Sequence, residues 1–299
     1  MADLSPEPLP DPVLAELFAE PYRITQPREP RAPFVFASPH SGRLYPASFV
    51  ERSRLNPTHL RRSEDAFVDE LFAAAAACGA PFLTARFPRA YLDANRAPAE
   101  LDQAMFEDPL PFAVDRASPR VHAGLGVIPR IVRDGVEIYR DKLAASEAEE
   151  RIRCLYRPYH SALARLVEET SMRFGTAVVV DCHSMPSGAA APDIVLGDRC
   201  GLSAAALVTF AAERAFQRQG FSVARNTPYA GGYTTQLHGR PRSGVHALQI
   251  EINRGLYLDE ERIARGARFV EIRQRIALAL KELIAIPVSQ PAPVAHAAE

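Results

Sequence analysis

The chain alternates between short apolar runs and longer stretches in which apolar residues recur every three or four positions. Phe34–Ala37 is an apolar run halted by Ser38 and Pro39, which predicts a short buried strand. From Asp65 to Cys78, the residues Val68, Leu71, Phe72 and Ala75 fall at helical spacing, and Gly79 closes the stretch as a helix stop. Pro81–Thr84 and Ala90–Leu92 read as further strands. Ala145–Phe174 sets Ile152, Leu155, Tyr159, Leu163 and Leu166 on one side of a long helix. A kink or break is expected there near Pro158, since proline removes a hydrogen bond and crowds the preceding turn. "TAVVVD" and "DIVLG" read as strands, Leu202–Gln219 as a helix, "FSVAR" and "HALQIEI" as strands, and about Glu260 to Ile284 as a closing helix. In "HALQIEI" and just beyond, Leu248, Ile250 and Ile252 face one way while Gln249, Glu251 and Asn253 face the other. Short strands alternating with helices predict an α/β fold, a central sheet with helices on both faces. Function in such folds gathers where strands run out into loops.

Composition sharpens the class. At 299 residues the chain can bury a sizeable core. Residues 1–32 are proline-rich and read as an arm packing over the surface, 33–286 as one α/β domain without linker or repeat, and 287–299 as a disordered tail. Lys and Arg number 35 against 36 Asp and Glu, a balance that argues against nucleic acid or an acidic membrane as the main partner. No apolar run reaches the length of a membrane span, and "MADLSPEPLPDP" lacks the basic end and apolar core of a signal peptide. A cytoplasmic protein is therefore expected; oligomeric state is left open. The cysteines Cys78, Cys154, Cys182 and Cys200 are too scattered for a disulfide framework or a cysteine-built zinc site. Between Glu213 and Glu251 no acid occurs, while Arg214, Arg218, Arg225, Arg240 and Arg242 do.

Two apolar strands end alike. "FVFASPHSG" delivers His40, and "VVVDCHSMPS" delivers His183, each followed by a serine. A single histidine at a strand end is usually a structural hydrogen-bonder. Two in the same context point toward a metal, because imidazole is the commonest metal ligand and strand ends of a parallel sheet share one edge. A catalytic zinc takes about three protein ligands. "RRSEDAFVDELF" offers Glu64 or Asp65 as the third; they point about 100° apart at a helix start, and the pattern alone leaves the choice open. Glu251, near the end of its strand, is a candidate general base, and Asn95–Arg96 past another strand can grip a carboxylate. Asp181 suits a role behind His183 or a turn cap. His160 reads as structural or supporting, and His246, five residues from Glu251 on one strand, faces away from it. "PYAGGYTTQLHGRP" is either an ordinary connection or a loop over substrate, with Tyr233 as a hydrogen-bonder.

Taken in series, "SPHSG", the Asp65–Leu71 stretch, "YLDANRAP", "RPYHSAL", "DCHSMPS", "GGYTTQLHGRP" and "VHALQIEINR" resemble the N-formylglutamate amidohydrolase family, itself similar to zinc carboxypeptidases and aspartoacylases. The resemblance runs from about residue 33 to 285. It implies a mixed sheet of the zinc-carboxypeptidase type and metal-dependent hydrolysis of an N-formyl or N-acyl amino acid, foremost N-formyl-L-glutamate. Carried over, the metal ligands are His40, Asp65 and His183, with Asp65 preferred to Glu64. The base is Glu251, and Asn95 and Arg96 bind the substrate carboxylate. Where carboxypeptidases place a glutamate three residues after the first histidine, this chain has Arg43. Zn²⁺ is the implied cofactor, with Mn, Fe or Co as alternatives. The implied partner is a small anionic N-acyl amino acid, which the acid-free arginine window would also suit. A deacylase or carboxypeptidase-like hydrolase of another substrate, and a non-catalytic binding protein on the same fold, are the competing expectations.

Overall fold

The computed structural model describes residues 11–132, 135–188 and 190–288. Seven strands build the main sheet: β1 (Tyr22–Thr25), β2 (Phe34–Ser38), β3 (Phe82–Ala85), β4 (Ala177–Met185), β5 (Ile194–Gly197), β6 (Val223–Arg225) and β7 (Val245–Asn253). Their order across the sheet is β1-β3-β2-β4-β7-β5-β6. β3, β2, β4 and β7 run parallel, β1 is antiparallel at one edge, and β5 and β6 are reversed at the other. The architecture is thus a mixed α/β sheet. From β2 the chain moves outward to β3 and then crosses back to β4 on the other side. Such a reversal of strand order opens a crevice at the C-terminal strand ends, here between β2 and β4.

Strand sequences in this core are apolar on both faces because both faces are covered. Phe34, Phe36, Val178, Val180, Leu248, Ile250 and Ile252 point to one side, under helices Ala206–Arg218 and Phe269–Ile284. Val35, Ala37, Val179 and Ala247 point to the other, under Ala145–Phe174 and the long segment after β3. Fully burying one such side chain contributes roughly 1.5–3 kcal/mol, so the apolar positions hold the sheet rigidly. Asp181, His183, Gln249 and Glu251 continue the second set toward the strand ends. By the two-residue period, all four leave the sheet on that same face.

Several elements depart from the sequence expectation, each for a local reason. Part of the expected arm belongs to the fold: Pro12–Ala19 is a helix capped by Asp11 with Leu17 buried, and β1 pairs with β3. Residues 1–10 of that arm and 289–299 of the expected tail lie outside the described residues. The helix expected over Asp65–Cys78 is two short ones, Val68–Leu71 and Ala74–Ala77. Asp65 is held out of it by its N–H, which donates to the His40 carbonyl at 2.9 Å, and Phe67 adopts a left-handed φ of 63°. Ala90–Leu92 is a turn rather than a strand, because the Pro88 carbonyl accepts from both Tyr91 and Leu92. Near Pro158 the long helix neither breaks nor continues regularly. A wide π turn, Ile152–Tyr156, absorbs the missing donor between Ala145–Arg151 and Arg157–Phe174. The last helix begins only at Phe269, after a small hairpin pairs Leu258–Asp259 with Ala264–Arg265. Among the described residues, no helix is long and apolar enough to cross a membrane.

Candidate metal centre

Four parallel strands deliver polar residues to one edge. β2 ends in the turn that carries His40, and Gly42 in that turn presses against the backbone following β3. A Cβ on Gly42 would lie 2.1 Å from the Phe87 carbonyl oxygen, so only glycine lets the two strand ends approach. β4 and β7 pair in parallel register with His183 directly beside Glu251. The segment after β3 returns over this edge and contributes Arg89, Asp93 and Asn95.

His40, Asp65 and His183 meet there, all buried, with one donor atom from each lying within 4.8 Å of the others. Asp65 Oδ2 is 2.9 Å from His183 Nδ1 and 3.4 Å from His40 Nδ1. Each imidazole is gripped from behind at its other nitrogen. His40 Nε2 is 2.7 Å from Asp93 Oδ1, and His183 Nε2 is 2.9 Å from Asp181 Oδ2. At His40 the Asp93 carboxylate holds the proton on Nε2 and leaves the Nδ1 lone pair facing Asp65, the support that metal-binding histidines ordinarily receive, whereas His183 Nε2 lies beside both Asp181 and the Asn95 amide nitrogen, the latter at 3.0 Å. The other Asp65 oxygen accepts from Arg254 at 2.9 Å. Asp65 is thus braced on one side and open to both imidazoles on the other.

This donor set fits a divalent metal ion. His40 Nδ1 is buried, yet among the described residues no hydrogen bond reaches it. Electrostatics favour positive charge at the same point. Burial works against an ionised His183, but Asp181 and Asp65 raise its pKa well above the ordinary value. Burial likewise opposes an ionised Asp65, but His183 and His40 hold its carboxyl well below the usual carboxylate range. Two imidazole nitrogens and a carboxylate suit zinc or a neighbouring transition metal. Glu64, the alternative acid, points elsewhere: it accepts from Tyr45 at 2.7 Å and Arg61 at 3.0 Å. Arg43 stands where carboxypeptidases carry a glutamate and pairs with Asp69 at 2.9 Å.

A cavity of about 490 Å³ opens over this centre. Glu251 lines it and accepts from Gln249 at 2.8 Å. Burial pushes the Glu251 carboxyl up to about 7; nearby Asp65 adds to the rise, and His183, Arg89 and Arg254 moderate it. A carboxylate poised near neutrality and set beside His183 is equipped to move protons. Five arginines line the cavity (Arg62, Arg89, Arg96, Arg120 and Arg254), against the carboxylates Asp65, Asp93 and Glu251.

The other sequence candidates fall in distinct places. Asn95 is at the site, but its amide is already spent within the protein. It donates to Asp181 at 3.0 Å and accepts from the Thr234 N–H at 2.8 Å. Arg96 faces the cavity while donating to the carbonyls of Leu125 and Asn95. Tyr233 is outside the cavity lining and packs its ring 5.9 Å from that of His160; the lining tyrosine is Tyr229. His160 donates to the Ala94 carbonyl at 2.9 Å and so braces the turn that carries Asn95. His246 lies away from Glu251, near the Ala205 N–H. None of the arginines between Glu213 and Glu251 lines the cavity; Arg225 pairs with Glu213 and Arg218 with Glu282. Arg62, Arg89, Asp93, Arg120 and Arg254 also line the cavity and were not among the sequence candidates. "RAYLDANR" holds two of them, Arg89 and Asp93, six and two residues before Asn95.

A family model described as N-formylglutamate amidohydrolase matches residues 32–258. The N-formylglutamate deformylase of Pseudomonas aeruginosa is 29% identical over 265 residues, which cover 85% of this chain and 92% of that protein. A second N-formylglutamate deformylase, from Pseudomonas putida, is 29% identical over 247 residues, covering 77% and 83%. The crystal structure of N-formylglutamate amidohydrolase from Ralstonia eutropha JMP134 aligns at a TM-score of 0.83 and 35% identity, covering 88% of this chain and 97% of that one. A gene product from Agrobacterium tumefaciens shares the fold at a TM-score of 0.63 and 18% identity, covering 90% and 96%.

Proposed function

This chain belongs to the N-formylglutamate amidohydrolase family, and from that membership and its His–Asp–His centre we propose that it hydrolyses N-formyl-L-glutamate to formate and glutamate. The observation that carries this reading is the pairing of a buried three-donor cluster with Glu251, in register on the neighbouring strand and raised to about 7. In this reading His40 Nδ1, His183 Nδ1 and Asp65 hold a zinc ion. Bound there, such an ion supplies Lewis acidity toward the formyl carbonyl and lowers the pKa of water.

The chain's own residues supply the rest. Glu251 takes a proton from the water that attacks the formyl carbon and returns it to the departing nitrogen, so that formate and a free amine leave. Asp93 keeps the His40 Nδ1 lone pair aimed at the centre, and Asp181 sets its charge beside His183. Arg254 fixes the Asp65 carboxylate, leaving its other oxygen for the metal. Arg96, with unused N–H groups beyond its two carbonyl partners, holds the substrate α-carboxylate together with Arg89. Asn95 acts as a positioning group, since its amide bridges the Asp181 carboxylate and the Thr234 backbone. Gly232 leaves room for it: a Cβ there would lie 2.4 Å from the Asn95 amide nitrogen. Tyr233 supports the same turn through His160.

A substrate panel tests the reaction. Metal-loaded protein is expected to release formate from N-formylglutamate with a higher kcat/KM than acetate from N-acetylglutamate or succinate from N-succinylglutamate. Preference for either longer acyl group would reassign the substrate.

A further inference from the structure

The substrate proposed above carries two carboxylates, and the five cavity arginines are not equivalent. Arg254 is consumed by the protein, with Nε, Nη1 and Nη2 donating to Ser184, the Arg62 carbonyl and Asp65. Arg89 donates to Asp93 at 3.0 Å and feels the charges of Asp65 and Glu251, so it stands at the reacting end. Arg96 is anchored between the Leu125 and Asn95 carbonyls.

Arg120 is different. Among the described residues, no hydrogen bond holds its guanidinium. Its nearest charged partner, Glu100, is 3.6 Å away and is already occupied by the Ser118 hydroxyl at 2.7 Å and the Ala97 N–H at 2.9 Å. Its side chain is 41% exposed. It belongs to the stretch that forms one wall of the cavity, where the remaining lining residues are Leu125, Pro129, Ile131 and Val132. An apolar wall with one guanidinium free of hydrogen bonds among the described residues matches a short methylene stem that ends in a carboxylate. Burial holds Arg96 below its ordinary pKa, and Arg89 and Arg120 add to that despite Asp93. Three mutually repelling cations around the engaged Asp93 and Glu100 leave positive charge that an anion would neutralise.

We propose that Arg120 recognises the distal carboxylate of the substrate and so makes this enzyme selective for dicarboxylic N-formyl amino acids. The inference rests on the N-formyl hydrolase reading. A charge-assisted bond of this kind is worth roughly 10- to 100-fold in discrimination against a neutral isostere.

The test is the ratio of kcat/KM for N-formylglutamate to that for N-formylglutamine, whose distal amide has the same shape and no charge. In Arg120→Gln the ratio is expected to fall at least about tenfold, with partial recovery in Arg120→Lys, which restores charge but not the fork. Because it is a ratio, a general loss of folded enzyme cancels. An unchanged ratio in Arg120→Gln would overturn the assignment, as would a fall produced by Arg62→Gln and not by Arg120→Gln. Wild-type protein that hydrolyses neither compound would overturn the hydrolase reading as well, which separates the two failures.

Discussion

Asp93 and Asp181 touch neither the water nor the substrate in the proposed reaction, yet Asp93 decides which nitrogen of His40 is free, and Asp181 sets its charge beside His183. Asp93 sits 2.7 Å from His40 Nε2 and Asp181 2.9 Å from His183 Nε2. Replacing Asp93 with Asn removes the charge and weakens the hold on the ring proton while keeping the shape. Metal affinity in Asp93→Asn, followed by competition with a chelator, is expected to fall about 10- to 100-fold; an unchanged affinity would mean that Asp93 merely packs. The two histidines of the cluster were legible because strands announce them: His40 and His183 each follow an apolar run whose end is marked by serine and proline. Glu251 was legible from the two-residue alternation of its strand. Asp93 was not, because it lies in a turn and its partner is 53 residues away. Asn95 was read as a grip for the substrate carboxylate, but its partners Asp181, His183 and Thr234 come from distant segments, and only the folded chain shows its amide engaged by them.

The helix Arg157–Phe174 and the short helix Tyr233–His238 meet over the turn that carries Asn95. His160 is the hinge of that contact. Its Nε2 bonds the Ala94 carbonyl, and its ring is flanked by those of Tyr156 and Tyr233. Burial drives its pKa down to about 4, with His238 acting in the same direction while the Ala94 carbonyl and Asp181 oppose it. The folded state therefore keeps His160 neutral, whereas the unfolded chain protonates it near 6.5. Its contribution is fully present above about pH 6.5 and is lost as pH falls toward 4, by up to about 3 kcal/mol. Urea unfolding across that range should show the decline, and His160→Gln should flatten it; an equal slope in the variant would mean other groups cause it. The helix carrying His160 was readable from its apolar spacing, and so was a disturbance near Pro158. Its form, a π turn rather than a break, depends on packing. Among the shorter elements, the stretch after Asp65 looks helical by spacing, but a hydrogen bond to the His40 carbonyl holds its first residue in a turn. Tertiary partners overrode local pattern there, at Asp65 of the His–Asp–His cluster.

Across the whole molecule, alternation of strands and helices was enough to give the α/β class, since only a buried parallel core makes runs such as "TAVVVD" apolar on both faces. Strand order was not legible, because nothing local tells β7 to lie beside β4 or β1 to close the edge beyond β3. The location of the positive charge was misread for a similar reason. The acid-free window between Glu213 and Glu251 looked like an anion site, but its Arg225 and Arg218 reach acids at and beyond its borders, Glu213 and Glu282. The cavity instead gathers Arg62, Arg89, Arg96, Arg120 and Arg254 from scattered places in the chain. That assembly places one carboxylate, Glu251, beside a cluster suited to a cation, the pairing on which the proposed reaction rests. The most direct test is to measure formate release and bound metal together in Glu251→Gln. Turnover of N-formylglutamate should drop by about 10²- to 10⁴-fold while metal per chain stays at the wild-type level. Formate release at the wild-type rate in that variant would contradict the assigned base, and loss of the metal with it would make Glu251 part of the metal's support rather than the proton carrier.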